Sequence, residues 1–292
     1  MKTVLKSQSQ EVVVSMDGPI VMIGEKINPT GRKKLAAALH SGDFEYVKQQ
    51  ALQQAAFGAH VLDVNVSVPG LDEKSLLPAV VKFLTAHTQL PLCLDSNNPQ
   101  ALAAALEVAP GKPLVNSVSG EEGKLRDILP VVKDRGAAVI GLTMDNAGIP
   151  ADAEARLAIA GKIIERAAKA GIPAEDVLID PLVLSVGADQ QAAAVTLKTI
   201  ALVRREFGVN INLGASNVSF GLPDRQTVNQ AFLALAFGAG ASCVITDAEK
   251  LAGAVLASDL LLGRDPYGKR YLIHVRRMQA AAAAAVAGGA KG

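Results

Sequence analysis

Short apolar runs rich in Val, Ile and Leu recur along the chain, and stretches of helical character separate them. They read "IVMIGEKI", "HVLDVNV", "LPLCLDS", "KPLVNSV", "AAVIGLT", "DVLIDPL", "VNINLGAS" and "ASCVITD", eight in all. Their near-continuous apolar character predicts strands buried on both faces, as in a parallel sheet wrapped by helices. Eight such strand–helix units within a single chain of 292 residues predict an α/β protein, a (β/α)8 TIM barrel. A doubly wound open sheet fits less well, because "IGEKINPTG" lacks the Gly-rich first turn that fold usually carries. Ahead of the barrel, "EVVVSMDGPIVMIG" reads as two β runs joined through an Asp-Gly turn, a hairpin closing the bottom. The domain plan is therefore an N-terminal extension over 1–19, the barrel over 20–262, and a capping segment with an Ala-rich tail over 263–292.

In this fold the C-terminal ends of the strands carry the chemistry and the opposite face carries stability. The runs end in Glu25, Asp63 with Asn65, Asp95, Asn116, Thr143, Asp180, Asn217 and Asp247. Asp63 and Asn65 are two apart, so strand alternation puts them on one side. Any one of these residues could simply cap the next helix or fix a turn. Asp247, just ahead of "AEKL", reads as such a cap, Asp145 and Asn146 read as turn residues, and Lys26 is expected to point outward. As a set, polar ends converging on one mouth exceed what capping requires.

The identity of those groups narrows the chemistry. His40, His60, His87 and His274 end no strand, which argues against a metal centre. The absence of a strand-end lysine late in the barrel disfavours Schiff-base chemistry, and "GASNVSFG" is a weak phosphate cradle. Carboxylates and amides suit a flat heterocycle rich in N–H donors. A carboxylate accepts two parallel hydrogen bonds from an amino-pyrimidinone edge, and amides serve its mixed edge. A pterin is such a molecule.

Composition removes other partners. Lys plus Arg total 29 against 28 Asp plus Glu, a net charge of +1, so no global field attracts nucleic acid or a membrane surface. Trp is absent, no basic patch interleaves with aromatics, and no apolar run approaches the roughly 20 residues of a membrane span. "MKTVLKSQSQ" has no apolar stretch behind its lysines, so it does not read as a signal peptide. Cys93 and Cys243 sit in apolar runs and read as core residues of a cytoplasmic protein.

"GEKIN" (24–28), "LDVN" (62–65), "CLDS" (93–96), "VNS" (115–117), "GLTM" (141–144), "IDPL" (179–182) and "GASNVS" (214–219) occur in that order. Together they resemble the pterin-binding methyltransferases that move a methyl group between methyltetrahydrofolate and a corrinoid protein. More distantly they resemble the folate module of cobalamin-dependent methionine synthase and dihydropteroate synthase. The resemblance implies that Asp95, Asn116 and Asp180 hydrogen-bond the pterin, that Gly214 and Ser216 line its site, and that Asn217 reaches N5 of the folate. Glu25, Asn28, Asp63 and Asn65 become supporting groups behind them. It further implies tetrahydrofolate and 5-methyltetrahydrofolate as substrates, a corrinoid (cobalamin) supplied by a separate partner protein, and a homodimer. A dihydropteroate synthase-like enzyme and a non-catalytic folate-binding protein are the alternatives. The first is disfavoured because "GASNVSFG" stands where those synthases carry a basic segment. Phe220 and Gly221 depart from the acetogenic branch, so an acetogenic or a demethylase system remains open, and with it the direction of transfer. Phe220 and Leu222 fit either the core or a docking contact.

Overall fold

The computed structural model describes residues 1–289. Nine strands are present: β1 (Lys2–Lys6), β2 (Glu11–Ser15), β3 (Val21–Ile27), β4 (Val61–Asn65), β5 (Leu92–Asp95), β6 (Leu114–Ser119), β7 (Ala138–Leu142), β8 (Val177–Asp180) and β9 (Cys243–Thr246). Ten helices alternate with them: α1 (Lys33–Ser41), α2 (Phe44–Ala56), α3 (Glu73–Thr85), α4 (Pro99–Val108), α5 (Glu122–Arg135), α6 (Ala153–Lys169), α7 (Ala192–Phe207), α8 (Arg225–Ala239), α9 (Ala248–Leu261) and α10 (Lys269–Gly289).

Seven parallel strands run in the order β8-β7-β6-β5-β4-β3-β9. The eighth predicted run, "VNINLGAS", supplies the seam. Asn210 O and Asn212 N bond Ile179 of β8, while Ile211 O and Leu213 O accept from Cys243 and Ile245 of β9. Its own ladder is broken where Ser242 Oγ takes the Ile211 N–H at 3.0 Å, so the segment bridges both edges without forming a regular strand. The curled sheet and its surrounding helices give the TIM-barrel architecture read from the sequence.

Strand alternation divides the core in two. Val21, Ile23, Val61, Cys93, Leu114, Ala138, Ile140, Leu178 and Cys243 fill the lumen. Their chain neighbours Met22, Leu62, Leu94, Val115, Val139 and Ile179 pack outward against the helices. Both cysteines are buried and free.

The hairpin differs from its predicted pairing. β2 pairs antiparallel with β1, from Lys2 opposite Ser15 to Lys6 opposite Glu11. The Asp17–Gly18 turn leads instead into β3, which lies between β4 and β9. The reason is patterning: Val12 and Val14 are buried while Val13 is 41% exposed, the alternation of a one-sided strand, whereas β3 is buried on both faces. Leu5, Val12 and Val14 join the lumen cluster, so the hairpin stoppers the barrel floor. Asn210 Nδ2 fastens it, donating to Thr3 Oγ1 at 2.9 Å and Val14 O at 3.0 Å.

At the other end of the chain, Asp259 accepts from Ile20 N on both oxygens and from Arg270 Nη2 at 2.7 Å. This carboxylate ties α9 and α10 to the start of β3. The Ala-rich stretch continues α10 as helix to Gly289, and the last residues of the predicted tail, 290–292, lie outside the described residues.

Candidate active site

The lumen dictates what faces the mouth. Two residues beyond the apolar lumen residues Ile23, Val61, Cys93, Leu114 and Leu178 stand Glu25, Asp63, Asp95, Asn116 and Asp180. Each is therefore the next inward position on its strand. The floor of the barrel is apolar and the layer above it is polar. On β7 the inward position after Ile140 is Leu142, not the predicted Thr143. Thr143 is fully buried, and its Oγ1 has no partner among the described residues.

A cleft of about 320 Å³ opens there, and Glu25, Asn28, Asp63, Asp95, Asn116, Asp180, Gly214, Ser216 and Asn217 all line it. Of the residues the family resemblance implies at the site, only Asn65 is absent from this lining. It donates to Asp95 Oδ2 at 3.0 Å and accepts from Ser67 N. Asp63 reaches the cleft itself, where Asn116 Nδ2 donates to its Oδ1 at 3.1 Å. Leu142, Leu182, Val183 and Ile245 add apolar walls.

Each carboxylate is held rather than free. Asp180 Oδ2 accepts from Asn212 Nδ2 at 2.9 Å and its Oδ1 from Leu182 N at 2.9 Å. Burial outweighs these bonds and pushes the Asp180 carboxyl up to about 6. Burial, and then repulsion from Asp95, raises Asp63 well above the usual carboxylate range. Burial likewise raises Asp95, against the Asn65 hydrogen bond. Each of these two buried carboxyls therefore disfavours the ionised form of the other.

Glu25 depends on a local irregularity. The β3–β4 register shifts between Gly24 and Ile27, and Gln54 Oε1 takes the Lys26 N–H at 2.8 Å. Such a bulge re-aims side chains. Lys26, predicted to point outward, is not among the residues lining the cleft and pairs with Asp247 at 2.9 Å. Asp247 stands at the N-cap position of α9, but its carboxylate accepts no backbone N–H there, so the lysine has replaced the predicted cap. Ser216 Oγ donates to Glu25 Oε2 at 3.1 Å, and Arg32 lies 3.7 Å away. Burial raises the Glu25 carboxyl despite the Ser216 bond.

The turn Ala215–Ser219 carries Asn217 at the rim. Asn217 is exposed, and its amide makes no hydrogen bond among the described residues. Phe220 beside it is 69% exposed, which places it on the surface rather than in the core.

Several contributors were not singled out in the sequence. Asn212 orients Asp180, and its place at an inward alternation of "VNINLGAS" was a readable signal. Arg156 had none: it lies within α6, 1% exposed, and donates to Pro150 O, Pro181 O and Leu182 O, each at 2.9 Å. Those bonds hold Leu182 at φ +61°, a left-handed conformation that costs a non-glycine residue about 1–3 kcal/mol.

A family model described as "Pterin binding enzyme" matches residues 24–247. A methylcorrinoid:tetrahydrofolate methyltransferase of Eubacterium limosum is 31% identical over 260 residues, 86% of this chain and 94% of that protein. A methionine synthase of Mycobacterium tuberculosis is 31% identical over 250 residues, 81% of this chain but only 21% of that much longer protein. Among solved structures, the Xanthomonas albilineans dihydropteroate synthase with 4-aminobenzoic acid superposes with a TM-score of 0.68 at 22% identity, over 89% of this chain and 98% of that one. The Yersinia pestis enzyme with a pterine-sulfa conjugate gives 0.68 at 17%, over 89% and 99%. These likenesses bear on the fold alone. The family match over residues 24–247, which takes in nearly every strand end facing the mouth, makes the chain a member of the pterin-binding enzymes.

Proposed function

We propose that the protein is a methyltransferase moving a methyl group between N5 of methyltetrahydrofolate and the cobalt of a corrinoid carried by a separate protein. The observation carrying this reading is the convergence of Asp95, Asn116, Asp180 and Asn217 on one cleft between apolar walls. Asp95 and Asp180 accept from the N–H edge of the pterin, and Asn116 serves its mixed edge. Leu142, Val183 and Ile245 sandwich the ring faces. The name and near-complete overlap of the Eubacterium relative support the reaction class.

The chemical difficulty is the leaving group. When the carbon–nitrogen bond breaks, its electron pair stays on N5, which must gain a proton or a hydrogen bond. Asn217 is the unengaged donor at the rim, and its role is to stabilise N5 in that step. Cobalt(I) supplies the electron pair of the new cobalt–carbon bond. In the reverse direction the same contacts hold the N5 amine while it attacks. The corrinoid partner must reach an open mouth, and the exposed Phe220 is its first contact. We place the reaction in the cytoplasm and assign a homodimer; sedimentation measures the latter.

Asn217→Ala tests the reading. Removing a preorganised donor of this kind costs about 2.7–4 kcal/mol in the transition state. Methyl transfer should slow by about 10²–10³-fold, with folate affinity changed by less than about fivefold. A loss of affinity matching the loss of rate would contradict the role.

A further inference from the structure

Asn217 stands on a turn that holds itself poorly. Within Ala215–Ser219 its backbone N–H reaches Gly214 O only at 3.5 Å, beyond the usual range for such a bond. Gly221, just past the turn, stands at φ +81°. A donor acts on a reacting atom only if it keeps its place, since a misplacement of about 1 Å can cost about 10²-fold in rate. What fixes Asn217 must therefore come from outside the turn.

Two neighbours grip it. On one side Arg225 donates to Ser216 O at 2.6 Å and to Ser219 Oγ at 3.0 Å. On the other side runs the segment that follows β8. Val186 N donates to Val218 O at 3.0 Å, and Ser185 Oγ donates to Phe220 O at 2.6 Å. The two carbonyls belong to residues just past Asn217 in the chain. The segments lie close: a Cβ added to Gly187 would stand 3.3 Å from Leu222 Cδ2 and 3.4 Å from Phe220 O. Ser185 is itself anchored. Its carbonyl accepts from Ala188 N and Asp189 N, each at 3.1 Å, and its Oγ accepts from Gly187 N at 3.1 Å. A hydroxyl has a single proton, and that of Ser185 goes to Phe220 O. The same segment starts at the ring, because Asp180, Leu182 and Val183 line the cleft. One stretch of chain thus contacts the ring at its start and braces the Asn217 turn at its end.

We propose that Ser185 is a positioning residue for methyl transfer, its hydrogen bond to Phe220 O setting where the Asn217 amide meets N5. Ser185 is not among the residues lining the cleft and acts only through the turn. The inference rests on the role given to Asn217 above. Ring affinity belongs to Asp95, Asn116 and Asp180, so loss of the brace falls on the rate and spares binding. Ser185 is only half-buried, so Ser185→Ala leaves the core intact, while Ser185→Thr keeps the hydroxyl.

The test is single-turnover methyl transfer from 5-methyltetrahydrofolate to cob(I)alamin by the full chain, paired with equilibrium titration of the folate. Ser185→Ala should slow transfer about tenfold and change folate affinity by less than about twofold. Ser185→Thr should recover most of the wild-type rate. The decisive arm places Ser185→Ala on Asn217→Ala. With the amide gone nothing is left to position, so the added substitution should change the rate by less than about twofold. The same slowing in both backgrounds, an unchanged rate in Ser185→Ala, a Ser185→Thr as slow as Ser185→Ala, or a loss of affinity matching the loss of rate overturns the inference. Asn217→Ala transferring methyl at the wild-type rate would instead overturn the role of Asn217 itself, and the brace with it.

Discussion

Asp180 shows how the site trades stability for binding. It has two donors, Asn212 Nδ2 and Leu182 N, yet burial lifts its carboxyl to about 6, against about 3.9 in the unfolded chain. A raised folded-state value means that the neutral form suits the empty site. Its stabilising effect is complete below the unfolded value and is lost as pH rises from about 4 through about 6. The loss is at most about 3 kcal/mol. Thermal denaturation of Asp180→Asn and wild type at pH 5 and pH 8 measures it: the variant should gain on wild type at the higher pH. Pterin binding runs the other way, because only the ionised carboxylate accepts two N–H bonds. Affinity should fall as pH drops through about 6, and Asp180→Asn should bind poorly at every pH. A pH-independent affinity would remove Asp180 from the ring contacts.

At the scale of elements, the barrel separates a stabilising end from a reacting end. Leu5 on β1 is fully buried in the lumen floor. Leu5→Ala should cost about 2–5 kcal/mol of stability while leaving pterin affinity unchanged, as denaturant titration and ligand titration would show. Arg156 behaves differently because it serves the loop after β8. Arg156→Met should leave Pro150 O and Pro181 O without their donor while Leu182 O keeps only Thr196 Oγ1 at 3.0 Å, cost about 3 kcal/mol, and weaken pterin binding by loosening Leu182. Faster hydrogen exchange at Leu182 and Val183 is the accompanying signature. The same division explains what could be read from the sequence. Strand alternation sends Asp63, Asp95, Asn116 and Asp180 inward wherever an apolar lumen residue stands two positions earlier, so those placements were legible. Thr143 was misplaced because β7 ends its inward series on Leu142. Asp247 was misread because a cross-strand ion pair with Lys26 replaced simple capping. Arg156 was invisible, since nothing in a helical sequence marks an arginine that will reach a distant loop. The β1–β2 pairing was missed because the more evident turn signal, Asp17–Gly18, serves a connection between sheets.

For the whole molecule, the fold gives a closed, stoppered barrel with a single polar mouth. Among the described residues no helix is long and apolar enough to cross a membrane. Asn217 on the mouth's rim and Phe220 beside it are both exposed. That exposure suits a reaction in which the methyl acceptor arrives on another protein. Phe220→Glu should then weaken turnover with the corrinoid protein by about tenfold while sparing turnover with free cobalamin, and steady-state kinetics with both acceptors would separate the two. An equal effect on both acceptors would assign Phe220 to the pterin site rather than to docking.

The most direct measurement is a single turnover in which the wild-type protein, loaded with 5-methyltetrahydrofolate, is mixed with cob(I)alamin under anaerobic conditions and followed spectrally. Conversion of the cobalt(I) spectrum to that of methylcobalamin, with tetrahydrofolate released in equal amount, is the predicted result. Tight binding of the folate with the cobalt(I) spectrum unchanged would contradict methyl transfer as this protein's chemistry.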